Sequence, residues 1–191
     1  MNAIMGNVMT HLNTTCTCCV PPQWGAGMGR RGFMGLGVAA AAGFMVRPAR
    51  AADGTAYEAM VLSCIDPRLV EPVHDWTVSR GLKGKYSLFV FAGAAIGAVA
   101  PKFATWQPAF WDNLGTSIEL HGIKKIISVN HRDCGAAKIA YGADAMNTPD
   151  KETALHKKVA GEFRGEVKKR FAKLDIEIGL MALDGKIEMF T

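Results

Sequence analysis

Three short apolar runs, set between longer amphipathic stretches, constrain this chain more than any other feature. They are residues 57–63 (Tyr-Glu-Ala-Met-Val-Leu-Ser), 86–91 (Tyr-Ser-Leu-Phe-Val-Phe) and 124–130, where Ile126, Ile127 and Val129 stand close together. Each has strand length and strand composition, so each is predicted as a buried strand. Pro72 suits the first turn of a helix, and a helix is predicted from there to about Arg80. Phe110, Leu114 and Ile118 predict a second helix over 106–121. Leu155, Val159, Phe163, Val167 and Phe171, with Lys, Arg and Glu between them, predict a third over 151–174. The Gly/Ala-rich stretch 92–100 reads as a loop with close backbone packing. Ile176, Ile178, Leu180 and Ala182 alternate, Asp184-Gly185 turns, and Ile187 and Met189 continue, as in a hairpin or a turn between edge strands. Strands alternating with helices predict an α/β fold: a mainly parallel β-sheet flanked by helices.

Charge locates a boundary. The formal net charge is +5, but Arg30, Arg31, Arg47 and Arg50 lie in the first 51 residues, which contain no acid. The rest of the chain holds the remaining 18 Lys and Arg against 17 Asp and Glu. That balance lacks the basic face of a nucleic-acid binder, and no nucleic acid is expected as a partner.

The first 51 residues read as a leader. Arg30-Arg31-Gly32-Phe33-Met34 precedes an apolar stretch, 35–46, and then Pro48-Ala49-Arg50-Ala51. A charged start, a short apolar run and a small-x-small site make a signal peptide, here of twin-arginine type. Cleavage is expected after Ala51, with a periplasmic product. About a dozen mildly apolar residues fall short of the roughly 20 that span a bilayer, so no stable membrane anchor is expected. Residues 1–27 resemble no part of a signal, and Met28 reads as the start, with 1–27 a gene-start artefact. Cys16, Cys18 and Cys19 fall there, leaving Cys64 and Cys134 in the expected mature domain, 52–191.

Chemistry concentrates in two loops, each after a predicted strand. The first is Cys64-Ile65-Asp66-Pro67-Arg68 and the second is His131-Arg132-Asp133-Cys134-Gly135. In an open parallel sheet, sites form beyond the carboxyl ends of the strands, so the two loops can meet there. Thiolates and an imidazole suit Zn²⁺, and three protein ligands leave one tetrahedral position open, as in catalytic zinc sites. Cysteine arithmetic alone leaves a disulfide as the rival reading for Cys64 and Cys134. His74, His121 and His156 have no tight ligand spacing to the pairs, and Asp66 is the nearer candidate for a fourth ligand. Arg132 and Asp133, between two ligands, are assigned no role.

The order Cys-x-Asp-x-Arg, then strand, helix and strand, then His-x-x-Cys-Gly, resembles that of β-class carbonic anhydrases, from about Ala56 to the end of the chain. The resemblance implies a β-carbonic-anhydrase-like fold, with Zn²⁺ held by Cys64, His131 and Cys134. It also implies an Asp66–Arg68 catalytic dyad. An Asp gripped by the planar guanidinium fork stays ionised and can orient the attacking water. The implied activity is that of a carbonate dehydratase, a zinc lyase hydrating carbon dioxide to bicarbonate, in a homodimer or higher homo-oligomer. The family's Arg-Asn-x-x-Asn-like segment is replaced here by Phe91-Ala92-Gly93-Ala94-Ala95-Ile96-Gly97, without its polar side chains. That change keeps two alternatives open: hydrolysis of carbonyl sulfide or carbon disulfide, and non-catalytic zinc binding. His74 and His121 are weighed as proton shuttles but read better as surface or packing residues. Trp76, Trp106 and Trp111 read as core or interface packing.

Overall fold

The computed structural model describes residues 57–191. The expected twin-arginine signal, residues 1–27 and the expected cleavage point after Ala51 lie outside the described residues.

Five strands form one sheet: β1 (Ala59–Ser63), β2 (Tyr86–Val90), β3 (Lys125–His131), β4 (Asp175–Met181) and β5 (Ile187–Phe190). Their order is β2-β1-β3-β4-β5, with every pair parallel except β4–β5. The expected mainly parallel α/β sheet is therefore present. The closing hairpin is present too, but only β5 lies at an edge. β4 pairs with β3 on one side and β5 on the other, so it is interior, as its buried second half requires.

The helices are α1 (Val70–Ser79), α2 (Ala95–Val99), α3 (Gln107–His121), α4 (Gly135–Tyr141) and α5 (Pro149–Arg170). Local chemistry sets their ends. Thr148 caps α5 by accepting from Lys151 N–H at 3.3 Å, and Pro149 occupies the first helical position, where no donor is needed. Asp150 and Glu152 stand in its first turn, and Lys168, Lys169 and Arg170 in its last, complementing the helix dipole. α3 ends at Gly122, whose φ of 64° suits glycine and whose N–H reaches Ile118 O.

The expected stripe of α5 needs one adjustment. Strict spacing of four advances about 40° more than a turn at each step, so the ends of the stripe drift from the core. Val159, Phe163 and Val167 are fully buried, whereas Leu155 and Phe171 are only partly so, and Phe171 stands just past the helix.

The stretch 92–100 is not the loop expected from its composition. It contains α2, whose residues 95–98 are all buried. The close packing is real: a Cβ on Gly97 would lie 2.5 Å from Ala92 O and 2.6 Å from the Phe91 ring. Small residues here let a helical turn sit directly on the preceding backbone.

The sheet is covered on both faces, which is why β1 is buried at every residue. Ala59 and Val61 join Leu69, Val73, Ile127 and Val129 under α1. Met60 and Leu62 join Ile126, Phe110, Val159 and Phe163 under the other helices. Each such aliphatic or aromatic side chain contributes about 1.5–3 kcal/mol by leaving water. No helix among the described residues is long and apolar enough to cross a membrane.

Candidate metal centre

The strand order explains where the chemistry gathers. The chain leaves β1 toward β2 on one side and later returns to β3 on the other. That reversal leaves a crevice at the carboxyl ends of β1 and β3, the switch point where open α/β sheets bind ligands. Ser63 is in register with Val129, so Cys64, the next residue, emerges beside the end of β3, whose last residue is His131. Cys134 follows as the residue preceding α4.

The ligand atoms of Cys64, His131 and Cys134 all lie within 4.8 Å of one another, and all three residues are buried. Donors gathered this closely, of types that zinc accepts, could hold one metal ion between them. The two cysteines are free thiols, not a disulfide.

Three further details fit a metal. His131 Nδ1 lies 2.8 Å from Arg132 O. A carbonyl only accepts, so Nδ1 carries the proton and Nε2 presents a lone pair. That Nε2 is buried without a hydrogen-bond partner, a costly state for a polar atom unless something binds it. Finally, Gly93 N–H donates to Cys64 Sγ at 3.2 Å, which favours a thiolate. The thiols are tightly coupled. The hydrogen bond from Cys134 lowers Cys64's pKa, against burial, whereas Cys134's own pKa is raised by that bond and by burial. The pair thus readily gives up one proton and holds the second. A cation between the sulfurs would replace the held proton, as metal binding to thiols requires.

Asp66 and Arg68 lie at the mouth of this cluster. Pro67 starts a short 3-10 turn, Pro67–Leu69, which Asp66 caps by accepting from Arg68 N at 3.0 Å. The same turn brings the guanidinium onto the carboxylate, with Nε to Oδ1 at 2.9 Å and Nη2 to Oδ2 at 2.7 Å. These Arg68 hydrogen bonds hold the Asp66 pKa down at about 2. Asp66 Oδ2 stands 4.0 Å from His131 Nε2, so the ionised carboxylate borders the position a metal would take.

The structure also supplies residues that motif reading passed over. Asp133 accepts from Arg68 Nη1 at 3.1 Å and from Lys138 Nζ. Its backbone is left-handed, with φ 57°. Its N–H donates to Glu152 Oε1 at 2.6 Å, and Arg132 Nη1 reaches Glu152 Oε2 at 3.2 Å. Glu152, on the buried side of α5, thus ties down the loop that carries two candidate ligands. Behind it, Asn130 accepts from Ala95 N–H and Ser128 Oγ and meets His156 Nδ1. An acidic residue between two ligands was the available signal for Asp133. Glu152 and Asn130 gave none, because their roles come from long-range packing.

The remaining histidines do not join the cluster. His121 meets Ser87 Oγ and lies beside the Tyr57 ring, and His156 is fully buried. His74 lines a cleft of about 530 Å³ that also includes Cys64, Leu69, Val70, Leu88 and Val90. Trp106 and Trp111 pack among Phe91, Phe103, Phe110 and Phe163, and Trp76 supports Arg80. The altered segment 91–97 acts through its backbone, since Gly93 and Ala95 offer N–H groups to Cys64 and Asn130.

No protein-family model matches the sequence. An uncharacterized protein of Rickettsia conorii is 33% identical over 129 residues, covering 68% of this chain and 69% of its own. One of Rickettsia bellii is 32% identical over 129 residues, covering 68% of this chain and 79% of its own. Among solved structures, the carbonic anhydrase of Glaciozyma antarctica superposes with a TM-score of 0.46 at 18% identity, covering 70% of this chain and 82% of that one. A β-carbonic anhydrase of Trichomonas vaginalis gives 0.46 at 18%, covering 72% and 84%. One of Aspergillus fumigatus gives 0.48 at 12%, covering 71% and 90%.

Proposed function

The chain belongs to the same family as the two rickettsial proteins, and we propose that it is a zinc-dependent enzyme of carbonic-anhydrase type, hydrating carbon dioxide reversibly to bicarbonate. One observation carries the reading: a buried, three-donor cluster of Cys64, His131 and Cys134 has an ionised, guanidinium-held Asp66 within 4.0 Å of its unpartnered nitrogen. Simple metal storage has no use for such a dyad.

Cys64 and Cys134, as thiolates, and His131 through Nε2 would hold Zn²⁺, leaving one position open. Zinc, when bound, supplies a Lewis acid that brings the pKa of water down to ~7. Asp66 is acceptor-only when ionised, so it accepts a hydrogen bond from the O–H of the attacking oxygen and turns that oxygen's lone pair toward the carbon of CO₂; the proton lost by water passes to solvent, because Asp66 is too weak a base to keep it. Arg68 keeps Asp66 ionised and holds it away from the ligands. The cleft beside Cys64 carries Glu71, His74 and Asp75, but its apolar walls of Leu69, Val70, Leu88 and Val90 suit an uncharged substrate. Those walls, with no polar side chain from 92–97, also favour a second reading: hydrolysis of carbonyl sulfide or carbon disulfide at the same centre.

Purified protein should carry one zinc per chain and hydrate CO₂ in stopped flow. Asp66→Asn should retain zinc and lose about 10²-fold in kcat/KM, the scale on which misplacing an attacking group lowers the rate. A rate equal to buffer for the wild type, with turnover of carbonyl sulfide or carbon disulfide, would transfer the assignment to the second reading. Stoichiometric zinc without any turnover would leave a zinc-binding protein.

We also propose export through the twin-arginine signal, with cleavage after Ala51, and assembly into a homodimer or larger homo-oligomer. The exposed apolar residues Leu88 and Val90 of edge strand β2 support the latter. N-terminal sequencing of the periplasmic product and its mass by light scattering test the two.

A further inference from the structure

Asp133 is the polar residue beside the centre to which neither the motif nor the mechanism above gives a task. Its surroundings are nevertheless specific. Arg68 spends Nε and Nη2 on Asp66 and gives Nη1 to Asp133 Oδ2 at 3.1 Å. Nη2 also reaches the Asp133 carbonyl at 3.4 Å. Lys138 holds the other carboxylate oxygen, Oδ1. The backbone is pinned by its N–H to the buried Glu152 in a left-handed conformation that non-glycine residues seldom adopt. Such strain persists only where surrounding contacts over-determine it.

We propose that Asp133 is a positioning residue. It fastens Arg68, and through it Asp66, to the loop that carries His131 and Cys134. The physical need is plain. Asp66 and Arg68 are two residues apart on one loop, and the Arg68 side chain is 45% exposed. Their mutual bonds fix the carboxylate to the guanidinium, but neither to the ligands contributed by the other loop. Among the described residues, Asp133 is the acidic group that joins the dyad to that second loop. Without it, the pair can rotate outward together, or Asp66 can turn onto the ligand cluster 4.0 Å away. The inference rests on the proposed function for its effect on rate, but the staple itself needs no substrate.

The test uses Asp133→Gly and Asp133→Asn in the full protein. Glycine accepts the positive φ and keeps the N–H to Glu152 while deleting the carboxylate. Asparagine tolerates the same backbone and keeps one acceptor oxygen. Three readouts are compared: the Arg68 Nε–H resonance by ¹⁵N NMR, zinc stoichiometry, and CO₂ hydration. In Asp133→Gly the Arg68 resonance should broaden into solvent exchange with zinc still bound. Its kcat/KM should fall about tenfold, the low end for residues behind a metal site, since the pair is partly exposed. Asp133→Asn should restore the resonance and most of the rate. Lys138→Met, which removes the ammonium from Asp133 Oδ1 but leaves the backbone bond from residue 138 N–H to Cys134 O, should give a weaker version of the glycine result, and serves if the glycine variant fails to fold. An Arg68 resonance as sharp in Asp133→Gly as in the wild type would overturn the proposal. A wild type without CO₂ turnover would overturn the functional reading while leaving the NMR comparison intact.

Discussion

Asp66 and Asp133 share a guanidinium but differ in what it does for them. Asp66 is gripped along the Nε–Nη2 edge and held at a pKa of about 2, so it remains ionised at any pH where the fold is useful. Asp133's pKa is lowered chiefly by Lys138 and then by Arg68. His156 shows the opposite use of charge. Burial, assisted by His131 and Arg132, depresses its pKa to about 4, so the neutral ring is what the fold accommodates. In the unfolded chain it titrates near 6.5. The unfolded state therefore binds the extra proton as pH drops from about 6.5 toward 4, and stability is lost across that window, on the order of 3 kcal/mol for a shift of this size. Urea midpoints should fall between pH 7 and pH 5 in the wild type. In His156→Gln that part of the slope should vanish, even if the variant starts out less stable.

At the scale of elements, the informative segment is 92–100. Its composition of glycine and alanine reads as a loop because neither residue carries a periodic apolar signal. What it forms is a buried helical turn, α2, whose helicity follows from packing rather than propensity. Gly97 is the test. A methyl group there would overlap Ala92 O and the Phe91 ring, and neither the backbone nor a ring stacked on Phe110 gives way easily. Gly97→Ala should cost about 1–3 kcal/mol by thermal or urea unfolding. It should also weaken zinc retention, because the same turn aims Gly93 N–H at Cys64. Unchanged stability would mean that the backbone shifts freely there.

For the molecule as a whole, the metal cluster sits on the core without constituting it. Phe110, Leu114, Ile126, Val159 and Phe163 are fully buried and belong to a core that extends well beyond the candidate ligands. The metal-free protein should therefore stay folded, unlike small zinc domains that unfold without metal. Added zinc should raise the melting temperature by mass action, increasingly with concentration. Cys134→Ser should remain folded with the shift largely lost. A metal-free chain that is unfolded by circular dichroism would refute this division between core and site.

Much of this was legible in the sequence. The three strands, the helices at 106–121 and in 151–174, the parallel sheet and the two loops all follow from apolar periodicity and from residues whose chemistry is local, such as Pro72 in the first turn of α1. Cys64, His131 and Cys134 were nameable because soft ligands at strand ends form a recognisable pattern, whereas the Asp66–Arg68 dyad was nameable through the resemblance of the Cys-x-Asp-x-Arg order to that of β-class carbonic anhydrases. The interior place of β4, the helix in 95–99 and the tasks of Asp133, Glu152 and Asn130 were not. Each depends on which residues distant in sequence meet in space, and a single side chain says nothing of its partner across the fold. Asp133 looks like a solvated acid until α5 brings Glu152 to its backbone and β1 brings Arg68 to its carboxylate. The sequence by itself determined the donor set and the strand ends that present it. Only the tertiary structure, through the reversal of strand order beside β1, decided that the donors converge and which charges hold them there.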